Sequence, residues 1–239
     1  MFISVINLTE GKLSDAEVQT AIRAINRQIA EDFRPNWSLG ATLRLEGTGS
    51  NDAHPENPSD MRGEAVIYLY DRVNVADALG YHDLTPDGLP LSKVFVKTTL
   101  DAGEQITVTA THELAEMMVD PAINLCAVDP KNVFYAYETA DAVEALSFNI
   151  AGFAMSDFVH PAYFESFRKA GSAQFDHMKK VKRPFQILAG GYMSVFKNGS
   201  WTQIFGSKAK RKNFRTEDRR GHRTTYLGRT HRMRPSDPI

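Results

Sequence analysis

The chain has one cysteine, no long apolar run and no net positive charge outside its last 33 residues, and the first two shortages exclude something. A lone Cys126 cannot build an intramolecular disulfide framework and fits a reducing compartment. No segment approaches the roughly 18–20 consecutive apolar residues that span a bilayer, so no membrane insertion is expected. The opening Met1-Phe2-Ile3-Ser4-Val5-Ile6-Asn7 lacks the basic flank and long apolar stretch of a secretory signal and reads as a strand. Together these shortages imply a cytoplasmic protein. No internal repeat is visible. What is present, 42% hydrophobic residues in a chain of 239, suffices for one sizeable core.

Charge is unevenly placed. Residues 207–239 hold eleven Lys/Arg against three Asp/Glu, a net of +8, which leaves the rest at −9 out of a total of −1. The sequence therefore divides into one domain, 1–206, and a basic tail, 207–239. With few apolar residues and no period, the tail reads as flexible. Its Lys208, Lys210, Arg211, Lys212, Arg215, Arg219, Arg220 and Arg223, continued by Arg229, Arg232 and Arg234, can hold nucleic acid or an acidic protein by charge alone. They can equally form a solvated terminus that neutralises the acidic body. Phe214 and Tyr226 are too isolated to form a stacking platform.

Along the body, residues 2–8 form a first strand. Ser14 with Glu17 three residues on marks a helix start, and Val18, Ile22, Ile25 and Ile29 recur at helical spacing. This helix is expected to run to about Asp32 and to be ended by Phe33, Pro35 and Trp37. Residues 41–45 and 65–70 read as strands, separated by a loop over 46–62 rich in Gly, Asn, Pro and Asp. Residues 93–98 alternate and suggest a further, more exposed strand. A helix is expected from the region of Gln105–Thr109 to just before Pro121. The second half is less periodic. Residues 134–138 lead into 139–144, a strand with a turn near Gly152 covers 148–155, and 156–164 is an aromatic loop with a short helix. Asn198-Gly199 between two apolar runs signals a hairpin.

The helix before Pro121 carries Thr111-His112-Glu113-Leu114-Ala115-Glu116. His112 and Glu116 are four apart, so they lie one turn apart on one face and can hold a single ion. A second helical His, which the His-Glu-x-x-His pattern of zinc hydrolases would place at 116, is absent. Glu113 lies beside the pair, where a general base can reach a water acidified by the metal. A third ligand must come from elsewhere. Glu138 and Asp141, three apart, can both face one site. One imidazole with several carboxylates is a hard, negative donor set. Zinc fits it first, and manganese, iron or calcium can also be held. The negative shell leaves the bound water less acidic than neutral ligands would. In the plain structural alternative, His-Glu-x-x-Glu is an ordinary helix surface, and Asp120 and Asp141 accept backbone amides at a turn.

The segment His112 to Pro121, with Glu138-Thr139-Ala140-Asp141 downstream, resembles zincin-like metallopeptidase relatives, in which a His-Glu-x-x-Glu helix runs into an Asp-Pro turn and a Glu-x-x-Asp follows. A closer likeness is to uncharacterised bacterial and phage-encoded proteins sharing a Ser-Asp-Phe-Val-x-Pro-x-Tyr/Trp-Phe segment, here Ser156 to Phe164, and a late Gly-Gly-Tyr, here Gly190 to Tyr192. The resemblance implies an α+β, zincin-like fold. It would have a mixed twisted sheet on an N-terminal and an active-site helix, a C-terminal hairpin, and Val94-Phe95-Val96 as the edge strand that pairs with an extended peptide. It implies one divalent cation on His112 and Glu116, Glu113 as general base, Glu138 as third ligand, Asp141 as fourth ligand or orienting group, and Asp120 in support. His160, Tyr163 and Tyr192 are its candidate oxyanion donors, though His160 and Tyr163 beside Pro161 read equally as core packing, and hydrolysis of a peptide or related amide bond is its implied activity. Two other roles fit the same residues: a non-catalytic phage or bacterial structural or interaction protein, and a nucleic-acid-associated protein acting through the tail.

Overall fold

The computed structural model describes residues 1–46, 63–71, 79–85 and 88–207. The loop expected over 46–62 lies almost wholly outside these residues, and the basic tail from Lys208 onward lies outside them entirely. The described chain is a mixed α+β fold. Strands β1 (Phe2–Leu8), β2 (Thr42–Leu45), β3 (Ala65–Tyr70), β4 (Gly80–Leu84) and β5 (Pro90–Phe95) form a five-stranded sheet in the order β2-β1-β3-β5-β4. β1 runs parallel to β2 and β3, and β3 to β5, while β4 is antiparallel to β5.

β1 and β3 are nearly continuous apolar runs, as strands covered on both faces must be. Strand alternation sorts their side chains. Ile3, Val5, Ala65, Ile67, Leu69 and Val94 face the helices, and Ile6, Val66, Tyr68, Tyr81, Leu91 and Phe95 form a separate cluster on the opposite face.

Helix α1 (Asp15–Gln28) starts in a complete capping box between Ser14 and Glu17 and buries Val18, Ile22 and Ile25 against the sheet. The expected terminators do not stop it at Asp32. A π-helical turn, Ile29–Phe33, leads into the short α2 (Arg34–Trp37), which ends at Ser38 with φ 55°. Pro35 sits in the first turn of α2, where its missing N–H is harmless. Phe33 and Trp37 stack at 6.1 Å, and Trp37 Nε1 donates to the Val159 carbonyl at 2.9 Å.

Two expectations about the sheet are corrected. Residues 93–98 are not one exposed strand: β5 ends at Phe95, and Val96–Asp101 forms helix α3. Nor is Val94-Phe95-Val96 the edge. β5 lies between β3 and β4 with Val94 and Phe95 fully buried, and among the described residues the edges are β4 and β2.

Helix α4 (Ile106–Val119) crosses beneath the sheet with every residue from Thr107 to Val119 buried. Ala110, Leu114, Ala115, Met117 and Met118 join the main core, so the polar residues of α4 face protein rather than water. No helix among the described residues is long and apolar enough to cross a membrane.

The second half holds a four-stranded antiparallel sheet, β6 (Cys126–Val128), β7 (Phe134–Ala136), β10 (Tyr192–Lys197) and β11 (Ser200–Phe205), in the order β11-β10-β7-β6. Asn198 and Gly199 turn β10 into β11 with φ of 52° and 80°, the left-handed pair such hairpins need. A second core gathers Tyr135, Val143, Val159, Tyr163, Phe164, Phe175 and Met193. The hairpin of β8 (Ser147–Ile150) and β9 (Phe153–Ser156) instead packs on the first core. Thr107 Oγ1 donates to the Ala154 carbonyl at 2.6 Å, and Thr111 Oγ1 accepts from the Ser156 amide at 2.9 Å, joining β9 to α4.

Candidate metal centre

The site is assembled where β4, α4 and the segment after β7 converge. On β4, Tyr81 points to the outer face, so Gly80 and His82 share the face toward α4. Gly80 allows the close approach: a Cβ there would lie 2.8 Å from Thr109 Cγ2 and 3.1 Å from Glu113 Cγ. Two residues along, His82 is thereby brought against the helix.

His82 Nδ1 lies 3.3 Å from Glu113 Oε2 and 3.4 Å from Glu116 Oε2, and its Nε2 is 3.5 Å from Glu138 Oε2. One helical turn away, His112 Nε2 lies 3.5 Å from Glu116 Oε1 and 3.3 Å from Asp141 Oδ1. Two groups can therefore hold a metal ion, His82 with Glu113 and Glu116, and His112 with Glu116 and Asp141. Ligands about 2.0–2.1 Å from a tetrahedral zinc are about 3.3–3.4 Å from one another, so the observed spacings are of coordination size. Glu113, Glu116 and Asp141 are at most 1% exposed.

Four carboxylates around two imidazoles, all out of water, carry a heavy desolvation cost. Burial, reinforced by Asp141 and Glu138, pushes Glu116 up to about 7, while His112 pulls in the opposite direction. Burial alone would lower His82, but Glu138, Glu113 and Glu116 outweigh it and hold the ring well above its ordinary range. The cluster favours positive charge at its centre, and a divalent cation on these donors is the direct way to supply it.

The supporting contacts are local. Glu116 Oε1 accepts the Ala140 amide at 3.2 Å, fixing the 138–141 segment against α4. Asp141 begins a 3-10 turn, Asp141–Val143, against which Gly191 packs. A Cβ on Gly191 would sit 2.5 Å from the Ala142 carbonyl oxygen. Asp120 accepts the amides of Asn124 and Leu125 at 2.9 and 3.0 Å and so closes the turn after α4.

The structure thus brings together His112, Glu113, Glu116, Glu138 and Asp141, with Glu138 facing the distal nitrogen of His82. His160 belongs to neither group. Its ring lies 5.8 Å from that of Phe158, and burial followed by His177 lowers it to about 4. Tyr163 is fully buried in the second core, its ring 5.0 Å from Phe164 and 6.0 Å from Phe185. Burial, then Tyr135 and Asp141, raise its hydroxyl well above the usual range. Tyr192 is likewise fully buried.

His82 is the residue that the helix motif does not reveal. The available signal was the Thr85-Pro86-Asp87-Gly88 turn sequence, which marks a reversal between two strands and places Gly80-Tyr81-His82 on the first of them.

No family model matches this chain, and no curated protein and no solved structure is significantly similar to it. The likeness to zincin relatives therefore rests on the motif residues alone.

Proposed function

We propose that this is a divalent-metal-dependent hydrolase of peptide or related amide bonds, with zinc the preferred ion. The reading is carried by one observation: the buried His112 Nε2, Glu116 Oε1 and Asp141 Oδ1 converge at ligand spacing. A cation held there would acidify water and polarise a carbonyl. Glu113, next in the chain to His112 and hydrogen-bonded to His82, would accept the water proton and return it to the leaving amine. His82 orients that carboxylate. Imidazole donors disfavour calcium, which takes oxygen ligands.

The test is metal content of the purified chain together with turnover of a quenched peptide library. Bound zinc that is lost in His112→Ala and Glu116→Ala, with cleavage abolished by chelation and in Glu113→Gln, is the expected result. A chain that takes up no zinc or manganese overturns the reading.

A second reading is favoured by the Glu116 contact to the Ala140 amide, which spans the two halves: the cation staples the fold and no substrate is cleaved. It predicts a large loss of thermal stability on chelation with no turnover in the library. Contact with nucleic acid or an acidic protein through Lys208 to Arg234 stands as a separate, charge-driven proposal. Binding that survives removal of residues 208–239 rules it out.

A further inference from the structure

We infer that the buried cluster is a two-cation centre, with Glu116 as the bridging carboxylate and with His82–Glu113 and His112–Asp141 as its two ends. The inference rests on the metal-binding reading above and adds to it a second ion, held by a strand that the helix motif does not include.

The geometry of Glu116 carries the argument. Its two oxygens are turned to different histidines, Oε1 to His112 at 3.5 Å and Oε2 to His82 at 3.4 Å. A carboxylate whose two oxygens each meet a different imidazole is placed to bridge two ions, which would then lie at about the 3.5–4 Å separation of two-metal sites. Each side is completed in the same way, by one further carboxylate oxygen 3.3 Å from the imidazole nitrogen, Glu113 Oε2 for His82 and Asp141 Oδ1 for His112. Both triplets have coordination spacing independently.

His82 supplies the second observation. Its side chain is only 7% exposed, and Nε2, which makes no hydrogen bond among the described residues, lies 3.5 Å from Glu138 Oε2. Metal-bound histidines are typically oriented by a carboxylate on their other nitrogen. With Nε2–H directed at Glu138, Nδ1 is left as a lone-pair donor toward the space between Glu113 and Glu116. Glu138 is then the orienting group rather than a ligand. Charge agrees: Glu113, Glu116, Glu138 and Asp141 bring four negative charges, which two divalent cations balance and one does not. In a doubly loaded centre Glu113 would be a ligand instead of the base it is in the single-ion reading, and the two cations would acidify a bound water enough for its proton to pass to solvent. Mixed imidazole and carboxylate donors suit zinc, manganese or iron.

The full-length chain, stripped with chelator and dialysed, is titrated with Zn²⁺ and separately with Mn²⁺. Bound metal is counted per chain, and the Mn²⁺ form is examined by electron paramagnetic resonance. Manganese matters because isolated histidines and Cys126 compete poorly for it. The expected result is two equivalents, an exchange-coupled Mn²⁺ spectrum, and a fall to one equivalent with an uncoupled six-line spectrum in His82→Ala. Saturation at one equivalent, or two equivalents retained in His82→Ala, overturns the two-cation centre and leaves the single-ion reading intact. No uptake at all overturns both. Should His82→Ala fail to fold, coupling in the parent spectrum decides by itself, because two Mn²⁺ ions bound far apart do not couple.

Discussion

The five-stranded sheet with its helices and the segment from Cys126 to Phe205 meet at the buried His/Glu/Asp cluster but are held in different ways. The first is built from periodic elements: alternating strands, a capped amphipathic helix, and α4 threaded through the core. The second relies on single acidic side chains that take up backbone amides. Asp129 accepts Lys131 and Val133, Asp157 accepts Phe158 and Met178, and Asp176 accepts Lys180 and Val181. Aromatic packing then fills the gaps, as where Tyr137 and Phe164 stack at 3.9 Å. A region of the first kind loses stability when apolar volume is removed. A region of the second kind should respond to protonation and to individual polar atoms.

Leu114→Ala provides the largest expected effect on stability. The side chain is 1% exposed in the first core, and its truncation should cost about 2–5 kcal/mol in urea denaturation. A loss under about 1 kcal/mol would mean that α4 is not central to that core.

Metal uptake tests the junction between the regions. Glu116 lies near 7 in the metal-free protein and must give up its proton to bind an ion. Zinc affinity should therefore fall at least about tenfold per pH unit below pH 7, and more steeply where His82, also raised, joins the ligands. Affinity that stays flat from pH 7 to 5 would exclude Glu116 as a ligand.

The second region has its own pH response. Asp157 is raised to about 8, by burial first and then by neighbouring Asp176. Its folded value lies above the ordinary carboxyl value of about 4, so the folded state holds the proton more tightly. That stabilisation is complete in acid and is lost as pH rises from about 4 through about 8. Denaturation of the metal-free chain should show declining stability across this window, and Asp157→Asn should reduce the decline. An unchanged slope would remove the Asp157–Asp176 pair as its source.

Ser14→Ala should cost about 1 kcal/mol by opening the capping box of α1, with metal content unchanged. Loss of metal in this variant would show that the two regions are coupled more strongly than the packing implies. Smallest of all, Tyr163→Phe should leave stability unchanged or slightly higher, because the buried hydroxyl makes no hydrogen bond among the described residues. A drop in peptide turnover without a drop in stability would instead give Tyr163 a role in the chemistry.

Much of the first region was legible in the sequence. Ser14 and Glu17 marked the start of α1, and the 3–4 spacing of Val18 to Ile29 marked its buried face. The register of α4 placed His112 and Glu116 one turn apart, and in the second region Asn198-Gly199 marked the β10–β11 hairpin. These features follow from backbone geometry within a few residues, so local sequence suffices to specify them. Less was legible where one element competes with another. β4 is short, and only its pairing with β5 makes it a strand and an edge. Phe33, Pro35 and Trp37 look like a helix stop until Phe158 and the Val159 carbonyl give them partners.

By itself, then, the sequence determined the periods, the caps and one face of α4, because these depend on neighbours three or four residues away. Tertiary structure alone decided that His82, thirty residues before the motif, turns its ring to Glu113 and Glu116, and that Glu138 meets its far side. No spacing encodes that meeting. It depends on strand order, on Gly80 admitting β4 to the helix, and on the second region pressing 138–141 against Glu116.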